Sequence, residues 1–427
     1  MSLVLLLSFL VLSAFGVPLA VALGLGAAAT LWYHDLPLTM VSQSMATSIN
    51  SFLLIAVPLF VLAGHIMEKG GLSERIFGAA EVIVGRLKGG LGHVNILSSF
   101  IFGGISGSSV ADIASIGRIT IGEMIARNYP LPYSAALTLI TSTLATLVPP
   151  SILVIVAAAA SGQSVGKALA GGLGPGLLLA LALFLYNALV SRFRGYGNIV
   201  RYDLRGSIRT LARAVPSLGA PVIILTGMFT GIVTPTEAAA LAVLYTAIVG
   251  LLVHREIGLS DLPALFISAG RTAGTVLLII MVASTATYVF TIDQLPTNTA
   301  SMIMSLTEDP RFVLLLMGLI FLVVGMLMDI VAAALMLIPV LMPTAIKVGV
   351  DPLHFLIFMV AALAMGLATP PVGTCLFATA QVSGVPIERV ARASMPFYLV
   401  NVIVLLIVAF FPQVVLWPAE LLTSSGI

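Results

Sequence analysis

Residues 103–112 read GGISGSSVAD, a run of glycine and serine closed by one carboxylate, Asp112. The flanks are apolar, LSSFIF before and IASIG after. Glycine is a poor helix former that bares the backbone, so the run is out of place in a chain otherwise suited to hydrocarbon. That chain has 427 residues, 59% hydrophobic and 8% charged, with a mean hydropathy of +1.16. A soluble domain carries roughly 25% charged residues, so this one lacks the charge to cover a water-facing surface. Apolar runs recur end to end, and a helix needs only ~20 such residues to cross a bilayer. The expected fold is an all-α polytopic membrane protein, with the lipid bilayer as its surroundings and no nucleic-acid partner. The one cysteine, Cys375, excludes a disulfide framework and a thiolate metal cluster. No Gly-Lys-Ser/Thr motif appears, which argues against a nucleotide-driven pump. Residues 1–30 lack a basic start, and their apolar run exceeds the ~7–15 residues of a signal-peptide core. They read as a retained first span, bent near Gly16-Val17-Pro18.

Basic residues set a path through the membrane, since cytoplasmic loops are rich in Lys and Arg. Loop 34–50 has none, loop 68–90 has four, and Arg192 to Arg213 form the densest cluster. The path runs out and back through 3–31 and 52–67, 133–160 and 168–190, then 216–232 and 236–253. Span 271–291 goes out, 351–382 comes in and 397–416 goes out. Segments 97–125 and 312–346 enter and leave on the same side, as two re-entrant hairpins on opposite faces. Arg201, Arg205, Arg209 and Arg213 recur every four residues, opposite Leu204, Ile208, Leu211 and Ala212. This spacing predicts an amphipathic helix on the cytoplasmic lipid surface.

The opening stretch has a counterpart. Pro149-Pro150 recurs 221 residues later as Pro370-Pro371, Gly104 as Gly325 and Pro175 as Pro396. Ser161-Gly162 matches Ser383-Gly384 with one residue of slippage, and Asp112 lies near the position matched by Asp329. Upstream, residues 58–74 align with 221–237 at an offset of 163. The second half therefore carries about 58 extra residues, assigned to span 271–291 and a polar loop at 293–311. An odd inserted span inverts the second copy. Inverted repeats with interrupted helices are the architecture of secondary transporters.

A proline pair inside a span frees carbonyls that hydrocarbon does not tolerate, so the break must be buried or line a cavity. Freed carbonyl and hydroxyl oxygens suit a hard cation, and exposed helix N-termini suit an anion. The substrate and ion candidates are Ser106, Gly107, Ser108, Ser109 and Asp112 in the first hairpin, and Thr146, Pro149 and Pro150 at the first break. Gly325 and Asp329 follow in the second hairpin, with Gly366, Thr369, Pro370 and Pro371 at the second break. A carboxylate at membrane depth is costly and functional by default; pairing of Asp112 with Arg118 is the structural alternative. TPTE at 234–237 reads as a helix start, with Thr234 as cap and Glu237 closing a capping box.

Five ordered segments resemble the large membrane subunit of tripartite ATP-independent periplasmic transporters: GGISGSSVADIASIG (103–117), TLVPPSILVIVAAAASG (146–162), GIVTPTEAAALAVLY (231–245), GMLMDIVAAALMLIPVL (325–341) and GLATPPVGTCLFATAQVSGVP (366–386). The likeness spans nearly the whole chain. It implies an elevator-type fold of the bacterial inner membrane, with transport halves at 93–165 and 311–386. Scaffold would occupy 1–92, including an arm helix, and 166–310, with a C-terminal span at 387–427. It further implies sodium as coupling ion, with no other cofactor, and an organic acid such as a dicarboxylate or sialic acid. A small four-span membrane subunit and a periplasmic substrate-binding protein would be partners. Sodium would be held through Ser106, Gly325, Asp329, Gly366 and Thr369. Ile330 departs from the proline expected after the hairpin aspartate. Two other readings stand beside this one. One is a stand-alone sodium/dicarboxylate carrier or antiporter of similar fold. The other is an intramembrane protease using Ser108 or Ser109 with His93, which needs the base within hydrogen-bond reach.

Overall fold

The computed structural model describes residues 1–197, 204–307 and 309–423, without the side chains of Ile105, Leu204 and Arg205. The described residues form helices and turns, with no strand. Eight helices are long and apolar enough to cross a membrane, and one bent pair, Leu131–Leu147 with Ile152–Ser161, makes a ninth candidate.

GGISGSSVAD is the tip of a helical hairpin. Gly90–Ser106 descends, Gly107 turns the chain with φ +60°, and a second leg runs from Ser109–Asp112 through Ile113–Gly117 into Arg118–Ala126. The second hairpin pairs Pro310–Leu327 with Ile330–Lys347. Each is followed by an interrupted helix. The first breaks at 148–151, where Ile152–Ser161 begins; the second runs Pro352–Leu367, breaks at 368–373 and resumes as Thr374–Ser383. Proline lacks the N–H that a helix interior needs and disfavours helical geometry in the residue before it; both Pro-Pro bonds are cis. Gly162 and Gly384 end their helices identically, each with φ +69°.

The repeat holds in register. The second hairpin legs begin at Ser109 and Ile330 and end at Ala126 and Lys347, 221 residues apart at both ends. Leu72 and Pro235 each begin a helix, 163 apart. Equivalent helices also exchange partners: Ala56–Lys69 packs on Pro235–Ile248, while Leu204–Phe229 packs on Leu72–Val84. Likewise Leu131–Thr141 packs on Ile387–Phe410, and Pro352–Leu367 on Val165–Arg194. Such exchange is what a two-fold relation between halves requires. The open ends of the two hairpins also lie near opposite ends of one long helix. The 30-residue helix Val165–Arg194 is about 45 Å long. Its first turns share a cleft with Asp351, just past the second hairpin. Tyr196, just past its end, packs on Tyr129, just past the first, at 6.0 Å.

Several expectations need correction. Residues 1–33 are not one bent span but two antiparallel helices, Ser2–Ala14 and Leu19–Tyr33. Gly16, at φ +80°, turns the chain, and Gly26 lies against Leu5, Ser8 and Phe9. The N-terminus therefore returns to the side of Asp293, whose carboxylate lies 3.3 Å from the Met1 amino group. Loops 34–50 and 293–311 contain helices Thr39–Ser48 and Leu295–Leu306, packed on Leu262–Ile292 and Ile330–Lys347 respectively. The last span is Ile387–Phe410, and Gln413–Thr423 folds separately along Val165–Arg194. The arginine-rich segment is the beginning of the long helix Leu204–Phe229 rather than a separate one; Arg201 and the side chain of Arg205 lie outside the described residues. The position matched by Asp329 at the 221-residue offset is Ser108, four residues before Asp112, and both cap the second leg of their hairpin.

The TPTE motif folds as expected. The Thr234 N–H donates to Glu237 Oε2 at 2.7 Å, and the Glu237 N–H donates to Thr234 Oγ1 at 3.3 Å. Thr234→Ala should lower stability by about 1 kcal/mol, read as a small fall in melting temperature of the purified protein. An unchanged melting curve would show that the box contributes nothing.

Candidate functional site

The two hairpin tips and both breaks meet at one cavity of about 370 Å³. The first hairpin contributes Gly107, Ser108, Ser109 and Val110, the second Asp329, Ile330 and Val331. Thr146, Ile152 and Leu153 come from the first break, Leu367 and Thr374 from the second. The remaining wall is Val61 and one face of Leu262–Ile292, namely Thr272, Thr275, Val276 and Ile279.

Close packing places these groups. A Cβ on Gly104 would stand 2.7 Å from the Pro149 carbonyl oxygen, and one on Gly107 would stand 2.9 Å from the Ile152 nitrogen. The first hairpin can thus lie against the first break only with glycine at both positions. Gly325 and Gly366 play the same part in the second half, where a Cβ on Gly366 would stand 2.8 Å from Gly325 backbone atoms. The Gly373 N–H donates to the Met326 carbonyl at 3.1 Å, tying the second break to its hairpin.

The tips are capped by side chains. Ser108 Oγ accepts from the Ala111 N–H at 3.4 Å. Asp329 Oδ1 accepts from the Val331 and Ala332 N–H groups at 2.9 and 3.2 Å. Ser151 spans the first break, donating to the Thr146 carbonyl at 2.7 Å and accepting from the Val154 N–H at 3.3 Å. Helices beginning at Ser109, Ile152, Ile330 and Thr374 all have their N-terminal ends at the cavity. No Lys, Arg or His lines it among the described residues. Its positive potential therefore comes from oriented backbone, and its negative charge from Asp329. The arrangement can receive an anion and a cation side by side.

Of the candidates, Gly107, Ser108, Ser109, Thr146 and Asp329 line the cavity. Ser106, Pro149, Pro150, Gly325, Gly366, Thr369, Pro370 and Pro371 stand behind it as its supports. Ser106 Oγ accepts from the Ser108 N–H at 3.4 Å, and Thr369 Oγ1 donates to the Met365 carbonyl at 2.7 Å. Asp112 is fully buried beside Ser99 and Cys375, and neither carboxylate oxygen has a hydrogen-bond partner among the described residues. Its pairing with Arg118 does not form, because Arg118 is exposed. His93 stacks on Phe184 at 4.9 Å, with Nδ1 3.3 Å from Asn187 Nδ2. It lies at the far end of its hairpin leg, so it offers no base to Ser108 or Ser109. Sequence reading missed Ser151, Thr272, Thr275 and Thr374. It also missed the buried network in which Asn95 Nδ2 donates to Thr138 Oγ1 at 2.7 Å and Thr141 Oγ1 donates to Asn95 Oδ1 at 2.9 Å. A serine directly after Pro-Pro was the one local signal available, as a helix cap.

Residues 6–414 match the model of the tripartite ATP-independent periplasmic transporter, DctM component. The chain is 37% identical to the C4-dicarboxylate TRAP transporter large permease protein DctM of Pseudomonas aeruginosa, over 92% of each chain. It is 35% identical to the sialic acid TRAP transporter large permease protein SiaM of Vibrio cholerae, over 90% of each. It is 38% identical to the isethionate TRAP transporter permease protein DctMQ of Oleidesulfovibrio alaskensis, over 93% of this chain and 63% of that one. The crystal structure of the Alcanivorax borkumensis YdaH transporter has a similar fold, with TM-score 0.59 at 14% identity, covering 90% of this chain and 87% of that one. With its apolar helices, the protein is a multi-pass component of the bacterial inner membrane. Hairpins, breaks and family match agree: the chain belongs to the tripartite ATP-independent periplasmic transporter family, as its DctM-type large permease component.

Proposed function

We propose that this permease takes up an organic acid by sodium-coupled, elevator-type transport. The substrate would be delivered by a periplasmic binding protein, with a small four-span membrane subunit completing the carrier. The observation that carries this reading is the cavity where both hairpin tips and both helix breaks converge. Its helix N-termini suit a carboxylate, and Asp329 with nearby backbone oxygens suits a hard cation. The named substrates of relatives, C4-dicarboxylate, sialic acid, isethionate and 2,3-diketo-L-gulonate, are all organic anions. In an elevator, the hairpins and interrupted helices (93–165 and 311–386) would move as one body past the remaining helices. The hairpins would then be re-entrant from opposite faces.

Uptake into proteoliposomes holding the permease, its small subunit and its binding protein is expected to stop when choline replaces sodium. Undiminished uptake in choline would sink the coupling. Uptake that needs no binding protein would favour the stand-alone carrier instead.

A further inference from the structure

A second cleft of about 540 Å³, sharing no lining residue with the transport cavity, lies between the starts of Leu72–Val84 and Leu204–Phe229 and the end of Val249–His254. The ion pairs Arg75–Glu256 and Arg127–Glu81 gather at this end of the molecule. The basic-loop rule makes it the cytoplasmic end. Two walls are pinned. Arg75 donates to Glu256 at 2.5 Å and to the Gly71 carbonyl at 2.7 Å, and His254 Nε2 lies 3.3 Å from Ser217 Oγ.

Two opposite charges line the same cleft without being engaged. Glu74 and Arg213 are both exposed, and neither has an ion pair or hydrogen bond among the described residues. The repeat sharpens the case for Glu74. Its counterpart Glu237 is consumed by a capping box with Thr234. The helix of Glu74 starts instead from Gly71, which has no side chain to cap with. Glu74 is thereby released into the cleft. Val253 in the cleft wall is 54% exposed, and Val215 and Leu252, next in the chain to lining residues Pro216 and Val253, are 64% and 67% exposed, apolar surface suited to acyl chains.

We propose that this cleft holds a phosphatidylethanolamine molecule, with its phosphate on Arg213 and its ammonium on Glu74. Anionic lipids would satisfy Arg213 but meet the Glu74 carboxylate unfavourably. The apolar surface favours a lipid over a soluble ion.

The test is native mass spectrometry of the detergent-solubilised protein after exchange into equimolar phosphatidylethanolamine and phosphatidylglycerol. The wild type should retain the former over the latter by roughly tenfold, equivalent to about 1.4 kcal/mol. Glu74→Gln should bring the ratio near parity, and Arg213→Gln should lower retention of both lipids. The charge-swapped E74R/R213E protein should recover the preference for phosphatidylethanolamine. Equal retention by the wild type would overturn the proposal, as would an unchanged ratio in Glu74→Gln. So would displacement of the lipid by soluble phosphoethanolamine at equal concentration.

Discussion

Gly366→Val should leave little folded protein, and what folds should melt many degrees below the wild type and transport nothing. Helices Pro310–Leu327 and Pro352–Leu367 cross at Gly325 and Gly366. A Cβ on Gly366 would lie 2.8 Å from the Gly325 Cα and carbonyl carbon and 2.9 Å from the Leu322 carbonyl oxygen. These obstacles are backbone atoms of a neighbouring helix, so no rotamer change relieves them. Overpacking a core costs about 1–3 kcal/mol when side chains can yield, and here the yielding side chain is absent. The same reasoning covers Gly104, whose Cβ would lie 2.7 Å from the Pro149 carbonyl oxygen. Gly122 is the control: it is helical and nothing lies within 4 Å of its Cβ position. Gly122→Ala should keep or slightly raise stability, by up to about 1 kcal/mol through helix propensity. The measurement is thermal unfolding in detergent, followed by size-exclusion recovery. A Gly366→Val protein that melts like the wild type would show that the crossing is looser than its geometry.

The features legible in the sequence are those that local chemistry dictates. Pro149-Pro150 and Pro370-Pro371 break helices wherever they fall, and Gly107 permits the turn it makes. Thr234 and Glu237 cap by spacing alone, and a duplicated pattern implies a duplicated fold. What was not legible depended on packing. Thirty apolar residues serve equally as one bent span or two short helices, and only the fold-back of Gly26 onto Leu5, Ser8 and Phe9 distinguishes them. Thr272 and Thr275 look like ordinary threonines of an apolar helix. Each indeed donates to its own backbone, to Ser268 and Arg271 carbonyls at 3.2 and 3.0 Å. Their place in the cavity wall is set by how Leu262–Ile292 rotates against the hairpins. Asp112 lies near the position matched by Asp329 and not at it, for a chemical reason. Two aspartates invite pairing by type, yet the shared role is helix capping, which a serine fills as well as an aspartate. Ser108 is therefore the equivalent of Asp329, and the halves differ by one negative charge at their tips.

That asymmetry underlies the second large effect. Asp329→Asn should reduce sodium-dependent uptake by roughly 100-fold, while melting within a degree or so of the wild type. Asparagine caps a helix about as well as aspartate, so the contacts with the Val331 and Ala332 N–H groups survive the change. Only the charge is removed, along with its affinity for a cation. A contact with a charged group contributes about 1.5–3 kcal/mol net, and losing the upper figure at the ion corresponds to roughly 100-fold. Asp329→Ala should lose both cap and charge, and so fall in stability as well as uptake. Ser108→Ala, which removes a neutral cap at the equivalent tip, should lower stability modestly and leave the sodium dependence where it was. The discriminating measurement is the sodium concentration for half-maximal uptake, which should rise in Asp329→Asn and hold steady in Ser108→Ala. If Asp329→Asn takes up substrate at wild-type sodium concentrations, the carboxylate serves the helix and not the ion, and the cation must be held by neutral backbone and hydroxyl oxygens.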